Sequence, residues 1–285
     1  MRILILGGDG MLGHRLLLHL RQRHDVRVTL RGPLADYARH GLFHASNAFD
    51  GVDVRIPERI ERVVAQFHPE ALINATGIVK QRAESKESIV SIEVNALLPH
   101  RLAMLCSERG IRLVHMSTDC VFSGKTGNYR EEDFPDADDL YGRSKLLGEL
   151  HEAPCLTLRT SIIGRELSRK TGLLEWFLAQ SGSIKGFRNA IFSGFTTNEM
   201  ARIIERVLTD FPSAHGVYQI SSAPISKYEL LSLIKSKLGV VTEILPDDAF
   251  LCNRSLESIR FRREFGYTPP SWETMIDELA ASMKL

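Results

Sequence analysis

The chain has 285 residues, of which 44% are hydrophobic and 25% charged, with a formal net charge of +1. These values are ordinary for a globular protein with one large domain, or with one medium domain and a smaller one attached. The near-zero net charge gives no indication of nucleic acid or a membrane as a partner. The four cysteines are too far apart in sequence to suggest a metal knuckle or a redox pair, so no metal site is predicted.

Short apolar runs alternate with longer amphipathic stretches along the first 160 residues. The runs predicted as buried strands are 3–6, 26–30, 71–74, 112–116 and 155–159. The stretches predicted as helices are 12–23, 56–67, 89–109 and 140–151. This alternation predicts an α/β fold, a Rossmann-type doubly wound parallel sheet with helices on both faces.

After about residue 160 the rhythm becomes more irregular and is interrupted by prolines. We therefore predict a dinucleotide-binding domain over 1–160 and a smaller C-terminal substrate-binding region over 161–285 that interleaves with the sheet. The first apolar run is too short for a signal peptide or a membrane span, and charges break the later ones. A cytoplasmic protein is expected, with a homodimer as the default oligomeric state.

Three glycines follow the first predicted strand and open the first helix. Gly7, Gly10 and Gly13 form the spacing G-x-x-G-x-x-G. The first glycine permits a tight turn, the second lets the backbone approach a pyrophosphate, and the third lets the helix pack closely on the strand. A pyrophosphate then lies at the helix N-terminus, where free N–H groups favour negative charge. An ordinary strand-to-helix turn is the alternative, but the position of the pattern favours a dinucleotide site.

The residue after the second strand bears on the choice of coenzyme. No acidic residue follows this strand to bind the ribose hydroxyls of NAD, and Arg31 stands there instead. A guanidinium matches a 2′-phosphate, so NADP(H) is preferred and NAD(H) is the alternative. Asp53 and Val54, after a predicted third strand, are expected beside the adenine, although Asp53 fits a surface turn equally well.

Tyr141 and Lys145 lie four residues apart on a predicted helix and therefore share one face. A tyrosine has a pKa near 10, and a neighbouring ammonium lowers it and so favours proton transfer. Ser117 and Thr118 follow a buried strand, where ligands of open α/β sheets bind. The combination predicts a catalytic site, although each piece alone also fits a solvated helix or a turn.

Two further segments agree with this site. The four residues Asn74, Ala75, Thr76 and Gly77 follow the fourth strand and are expected to pass beneath the cofactor. Asn95, in the next helix, either braces the site through a hydrogen bond or lies on the helix surface.

The segments 7–13, 74–77, 117–124 and 140–149 resemble extended short-chain dehydrogenases. From residue 117 onward the similarity is greatest to dTDP-4-dehydrorhamnose reductases and related sugar-nucleotide reductases, and 158–161 and 192–201 also match. The resemblance implies that Tyr141 donates a proton to the reduced carbonyl oxygen, that Thr118 orients this oxygen, and that Lys145 lowers the pKa of the tyrosine and binds ribose. It also implies that the cofactor path is lined by Met11, Leu12, Thr76 and Thr160.

The sequence departs from the reductase pattern at two places. Cys120 stands where the rhamnose reductases commonly carry a tyrosine, and the segment 77–82 also differs. In that segment Lys80 and Arg82 either contact the substrate diphosphate or face solvent. Arg188 is a further candidate for the diphosphate.

The leading hypothesis is therefore the NAD(P)H-dependent reduction of a 4-keto nucleotide sugar. The alternatives are a sugar-nucleotide epimerase or dehydratase, and a non-catalytic regulatory subunit that keeps the fold. A single acid, Asp119, after Thr118 argues against dehydration, and the complete Tyr141 and Lys145 pair argues against a purely regulatory role.

Overall fold

The protein is described by a computed structural model that covers residues 1–79, 87–168 and 170–283. The strands within these residues are β1 (Arg2–Leu6), β2 (Asp25–Thr29), β3 (Ala48–Phe49), β4 (Ala71–Asn74), β5 (Arg112–Ser117), β6 (Cys155–Arg159), β7 (Ile162–Ile163), β8 (Ser183–Phe187), β9 (Ala190–Phe192), β10 (Phe195–Thr196), β11 (Gly216–Gln219), β12 (Ile225–Ser226), β13 (Glu243–Asp247) and β14 (Cys252–Asn253). The α-helices are α1 (Met11–Leu20), α2 (Pro57–Phe67), α3 (Ser88–Ser91), α4 (Leu98–Arg109), α5 (Leu140–Leu147), α6 (Leu173–Leu178), α7 (Thr197–Thr209), α8 (Lys227–Leu238), α9 (Ile259–Glu264) and α10 (Trp272–Ser282).

Seven parallel strands form the central sheet in the order β3-β2-β1-β4-β5-β6-β11. The strand order reverses between β1 and β4. In a doubly wound sheet, ligands bind beyond the carboxyl ends of the strands at this reversal. The predicted Rossmann-type fold is confirmed.

Side chains along β1 alternate between two cores because successive residues of a strand point to opposite faces. Ile3 and Ile5 pack in the cluster that contains α1 and α7, and Leu4 and Leu6 in the cluster that contains α2 and α4. All four side chains are completely buried. The helices therefore cover both faces, which is why the strands read as continuous apolar runs.

The chain after residue 160 contributes one strand to the central sheet and forms several small sheets outside it. Strand β11 pairs with β6 at the edge of the sheet, and α7 packs against α1. The remaining strands form small sheets, in which β7 pairs with β10, β8 with β13, and β9 with both β12 and β14. These small sheets and α8 stand beyond the carboxyl ends of the central strands, where they build the second wall of a cleft.

The predicted helix 89–109 is a composite of α3, a π-helical stretch (Ile92–Leu97) and α4. By length and composition alone, the segment Ser88–Arg109 is apolar enough to cross a membrane. Its residues Leu98, Leu102 and Cys106 are, however, buried against the sheet. The segment therefore forms part of the core of this protein.

Helix α5 is shorter than the predicted 140–151. It ends at Gly148, where a Cβ atom would lie 2.0 Å from the main-chain oxygen of Asn95. Because Gly148 has no side chain, the two backbones can approach closely at the end of the helix, and the next residue, Glu149, is 4% exposed.

Candidate active site

A cleft of about 860 Å³ lies beyond the carboxyl ends of the central strands. This volume is within the range of ligand sites in enzymes. The predicted site residues that line the cleft are Gly7, Gly10, Met11, Leu12, Arg31, Asp53, Val54, Ala75, Thr76, Gly77, Ser117, Thr118, Tyr141, Lys145 and Thr160. The fold thus brings to one cavity residues that are spread over more than 150 positions of the chain.

The glycine turn joins β1 to α1 in the tight form that the spacing predicts. Gly7 has φ +85°, and a Cβ atom at Gly13 would lie 2.0 Å from the Gly7 oxygen, so neither position accepts a side chain. Gly10 caps α1 without a side-chain hydrogen bond. The first N–H groups of α1 therefore have no capping side chain, and Met11 and Leu12 at this helix end line the cleft, where an anion site is expected.

An arginine pair flanks an aspartate at the β2 side of the cleft. Arg55 Nη2 lies 2.6 Å from Asp53 Oδ2, and its hydrogen bonds lower the pKa of Asp53 to about 2, with Arg31 adding to the shift. The guanidinium groups of Arg31 and Arg55 therefore both act on the Asp53 carboxylate. Arg55 was missed by the sequence analysis, although its position two residues after Asp53 is a usable signal.

Asn74 supports the cleft from below and does not line it. Its side chain is fully buried. The Asn74 Oδ1 atom accepts hydrogen bonds from the N–H and the hydroxyl of Thr76 at 3.2 and 2.5 Å, and Nδ2 lies 3.1 Å from His115 Nδ1. Asn74 therefore shapes the loop of Thr76, and the predicted direct role in cofactor binding falls to the loop itself.

Ser117 is committed to a buried ion pair. Its hydroxyl donates to Glu149 Oε1 at 2.6 Å. Arg159 donates to both oxygens of the same carboxylate at 2.7 Å each. The proton of the Ser117 hydroxyl is therefore directed to Glu149, while the residue itself borders the cleft.

Thr118, Tyr141 and Lys145 meet at the carboxyl end of β5. Asp139 caps α5 by accepting from the N–H of Gly142 at 2.8 Å. A Cβ atom at Gly142 would lie 2.2 Å from the Cys120 oxygen, so this glycine lets α5 approach the loop after β5. The Thr118 hydroxyl donates to Asp119 Oδ1 at 3.1 Å and accepts from the Cys120 N–H at 3.1 Å.

The two titrating groups on α5 are both shifted by burial. Burial raises the pKa of Tyr141, and hydrogen bonding with Thr118 opposes the shift. Burial also lowers the pKa of Lys145 to about 8. The ammonium of Lys145 donates to the Met116 oxygen at 2.6 Å. The sequence predicted a lowered pKa for Tyr141, whereas burial among the residues of the cleft raises it in this structure.

Asn95 was predicted either to brace the site through a hydrogen bond or to lie on the helix surface. The structure shows the bracing role. The side chain is 1% exposed. It accepts from the N–H of Ile78 at 2.9 Å, donates to the Ile78 oxygen at 3.0 Å and donates to Ser144 Oγ at 3.2 Å. Asn95 therefore ties the loop after β4 to α5, one residue before Lys145.

The residues predicted to contact the substrate diphosphate are not found among the described residues that line the cleft. Lys80 and Arg82 lie outside the described residues. Arg188 forms a two-point ion pair with Asp248, with 2.8 Å from Nε to Oδ1, and it is not part of the cleft lining. The far end of the cleft is instead lined by residues that the sequence analysis missed, which are Lys185, Phe187, Phe192, Lys227, Phe250 and Arg254.

The family model described as "RmlD substrate binding domain" matches residues 1–284. The chain belongs to this family. The spore coat polysaccharide biosynthesis protein SpsK of Bacillus subtilis (strain 168) is 25% identical, over 97% of this chain and 96% of that protein. The dTDP-4-dehydrorhamnose reductase of Aggregatibacter actinomycetemcomitans is 23% identical over 98% of both chains.

Solved structures of this family share the fold. A crystal structure of dTDP-4-dehydrorhamnose reductase from Bacillus anthracis in complex with NADP superposes with a TM-score of 0.80, at 23% identity and over 99% of both chains. At this identity the likeness establishes the Rossmann-type architecture over the full length of the chain.

Proposed function

We propose that this protein is an NADPH-dependent reductase of a nucleotide-activated keto sugar, a 4-keto sugar in the leading case. The observation that carries the proposal is the meeting of Thr118, Tyr141 and Lys145 in one cleft with the glycine turn. Family membership supports it, because relatives with matching length are named as reductases of a dTDP-4-keto sugar. The assignment of each residue below is part of the same proposal.

The cleft fits a nicotinamide dinucleotide. The open N–H groups at the start of α1 suit a pyrophosphate, and the loop of Ala75, Thr76 and Gly77 provides a main-chain surface beside it. Arg31 and Arg55 favour the 2′-phosphate that distinguishes NADPH from NADH, because the Asp53 carboxylate is already neutralised. When bound, the nicotinamide supplies the hydride.

The chain itself supplies the proton. Because the pKa of Tyr141 is raised, its phenol keeps its proton at neutral pH and can donate it to the carbonyl oxygen as this becomes an alkoxide. The Thr118 hydroxyl, at the same strand end, orients that oxygen. Lys145 places a positive charge beneath this point, and releasing it from the Met116 oxygen would let it stabilise the tyrosinate that remains.

Among the described residues of the cleft, the segment after Thr118 does not favour dehydration. Dehydration requires a base beside Asp119, and the next residue is Cys120, whose thiol pKa is raised to about 12 by burial. A neutral thiol is a poor base at neutral pH. A subunit that only binds a dinucleotide has no need to retain the complete pair of Tyr141 and Lys145, so the complete pair supports a reductase.

The test is an optical assay of NADPH and NADH oxidation with 4-keto derivatives of dTDP-hexose and UDP-hexose. Turnover of one substrate, faster with NADPH than with NADH, is the expected result. If none of the substrates is turned over while NADPH still binds by titration, the reductase assignment is wrong. Interconversion of a nucleotide sugar without net coenzyme consumption would identify an epimerase instead.

A further inference from the structure

A second concavity lies at the edge of the central sheet, between β3 and α2. Its volume of about 560 Å³ is within the range of small-molecule sites. Its walls include Arg27 of β2, Phe49 of β3 and one face of α2, on which Arg59 and Arg62 lie. We call it the edge pocket. Among the described residues it shares only Val52 with the cleft, so it lies outside the proposed active site.

Arginines dominate the charge of the edge pocket. Arg27, Arg59 and Arg62 line it, and Asp50 is the acidic residue of its described lining, so three positive charges against one negative charge leave a formal charge of +2. The Asp50 Oδ2 atom accepts a hydrogen bond from the N–H of Leu34 at 2.9 Å. Within the described residues, no carboxylate lies within 4.0 Å of any of the three guanidinium groups.

Helix α2 turns a basic face toward the edge pocket. Arg59 and Arg62 are three residues apart and therefore share one face of the helix, and both belong to the lining. Glu58 and Glu61 precede them by one residue each, lie on a different face and are exposed outside the lining. The acids of α2 therefore do not neutralise the edge pocket.

The guanidinium of Arg27 is held in place by two rings and has no oxygen partner. Its Cζ atom lies 5.2 Å from the ring centroid of Phe49 and 5.1 Å from that of Phe67. Its Nε atom is buried, and no group of the described residues accepts a hydrogen bond from it. The other arginines with a buried and unpartnered Nε atom line neither the cleft nor the edge pocket, and they are Arg15, Arg112 and Arg206.

This placement prepares Arg27 for an anion. A half-buried guanidinium without an oxygen acceptor is unfavourable, so an oxyanion that reaches it from the edge pocket would stabilise it. The rings of Phe49 and Phe67 support the positive charge and fix the plane of the group. Because the side chain is already ordered, little conformational entropy is lost when an anion binds.

We propose that the edge pocket is a second ligand site, which binds a small phosphorylated metabolite through its phosphate monoester group. The formal charge of +2 matches a phosphate dianion better than a carboxylate, and planar guanidinium groups pair with phosphate oxygens in bidentate geometry. The lining also contains Phe49 and Val63, whose apolar side chains can contact the uncharged part of the metabolite. This site is independent of the proposed reductase activity.

The experiment compares a phosphate ester with probes that lack either the ester or the phosphate. Calorimetry on the NADP⁺-saturated protein at fixed ionic strength would give dissociation constants for glucose 1-phosphate, inorganic phosphate, acetate and glucose. The saturating coenzyme keeps the probes from the phosphate sites of the dinucleotide. We expect glucose 1-phosphate to bind most tightly and inorganic phosphate next. Acetate and glucose should bind at least about tenfold more weakly than the ester, because they cannot accept the same charge-assisted hydrogen bonds.

Two variants locate the bound phosphate, and two matched controls test the location. Arg27→Gln should weaken glucose 1-phosphate about tenfold to hundredfold, and Arg62→Gln, at an exposed position, should weaken it at least about threefold. Lys185→Gln removes a cation of the cleft and Arg263→Gln removes a cation of the surface, and both should leave the dissociation constant unchanged. Arg62 lies on the exposed side of α2, so the test stands even if Arg27→Gln fails to fold.

Three outcomes would overturn the inference. Phosphate and its ester binding no more tightly than acetate and glucose would remove the phosphate site. Weakening by Lys185→Gln and not by Arg27→Gln or Arg62→Gln would place the phosphate in the cleft. Equal weakening by Arg263→Gln would reduce the effect to general surface charge. Failure of the wild type to bind NADP⁺ would count against the proposed function instead, and the same titrations on the unliganded protein would still test the edge pocket.

Discussion

The ammonium of Lys145 donates to the main-chain oxygen of Met116 at 2.6 Å. Met116 lies in β5, immediately before Ser117 and Thr118, so the lysine is held at the strand end that carries the proposed substrate-orienting hydroxyl. The contact keeps a buried cation compensated before ligands enter. In the proposed mechanism the remaining N–H groups of the ammonium are the ones that bind ribose and the tyrosine oxygen.

The pH dependence of kcat/KM should report this lysine. Burial lowers the pKa of Lys145 to about 8, so the ammonium is charged below that pH and loses its proton above it. Because Tyr141 keeps its proton over this range, kcat/KM should fall above about pH 8 as the lysine becomes neutral. Initial rates across the pH range at low substrate concentration would measure it.

Burial also lowers the pKa of Lys227 to about 8, so its contribution to the pH profile must be distinguished from that of Lys145. The fall should persist in Lys227→Met if Lys145 causes it. Lys145→Arg should have a reduced kcat/KM at all pH values. Its kcat/KM should not fall above pH 8, because a guanidinium keeps its proton at every accessible pH. A profile that stays flat to pH 10 in the wild type would contradict the role of the Lys145 charge.

Tyr141→Phe should abolish turnover and spare coenzyme binding. The substitution removes only the proton donor, so kcat should fall roughly a hundredfold to ten-thousandfold, while the dissociation constant of NADPH changes little. Tyr218→Phe is a suitable control because its hydroxyl donates to Glu264 at 2.6 Å, outside the cleft lining. Unchanged turnover in Tyr141→Phe would assign the proton to another group.

Substitution of Arg31 or Arg55 should weaken the binding of NADPH more than that of NADH. Arg31→Ala should weaken NADPH about tenfold to hundredfold, as expected for lost bonds to a phosphate, and leave NADH unchanged. Arg55→Ala should also weaken NADPH, because it leaves Asp53 uncompensated beside the 2′-phosphate. Fluorescence titration with both coenzymes would measure this, and equal losses for both would remove the case for 2′-phosphate recognition.

The local parts of this site could be predicted from the sequence. The glycine turn, the Thr118 strand end and the Tyr141 and Lys145 pair each lie within one strand–turn–helix unit, so their spacing alone defines their geometry. The parallel sheet and its strands β1, β2, β4, β5 and β6 followed from the same alternation, whereas β11, which lies after residue 160, was not predicted. The boundary of α5 was predicted four residues too late, and at Gly148 the helix end lies against the backbone of Asn95, more than 50 residues earlier in the chain.

The parts that depend on distant segments could not be predicted. Lys227 and Arg254 reach the cleft only because small sheets fold over it after residue 160, and no local motif marks them. Arg188 was expected at the substrate, but Asp248, 60 residues away, holds it in an ion pair. Ser117 has the right position for a ligand, yet its hydroxyl is taken by Glu149, which sequence spacing does not reveal.

Breaking the buried ion pair of Glu149 and Arg159 should lower the free energy of unfolding strongly. Both side chains are at most 5% exposed, and Nη1 of Arg159 has no hydrogen-bond partner within the described residues. Glu149→Gln would leave the guanidinium buried without a carboxylate, and Arg159→Met would leave the carboxylate without a cation. Each change should lower the free energy of unfolding by about 3–5 kcal/mol, as for other broken buried pairs.

Urea unfolding followed by circular dichroism would measure these losses. The control is Asp277→Asn, at the exposed pair with Lys237, which should change the free energy of unfolding by less than about 1 kcal/mol. The double variant Glu149→Met and Arg159→Met leaves no uncompensated charge, so it should be more stable than either single change. If the free energies of unfolding of both single variants lie within about 1 kcal/mol of the wild-type value, water reaches the ion pair and the Ser117 hydroxyl beside it. The strand end of β5 would then be held by the Lys145 contact with Met116 and by the packing of α5, without help from the ion pair.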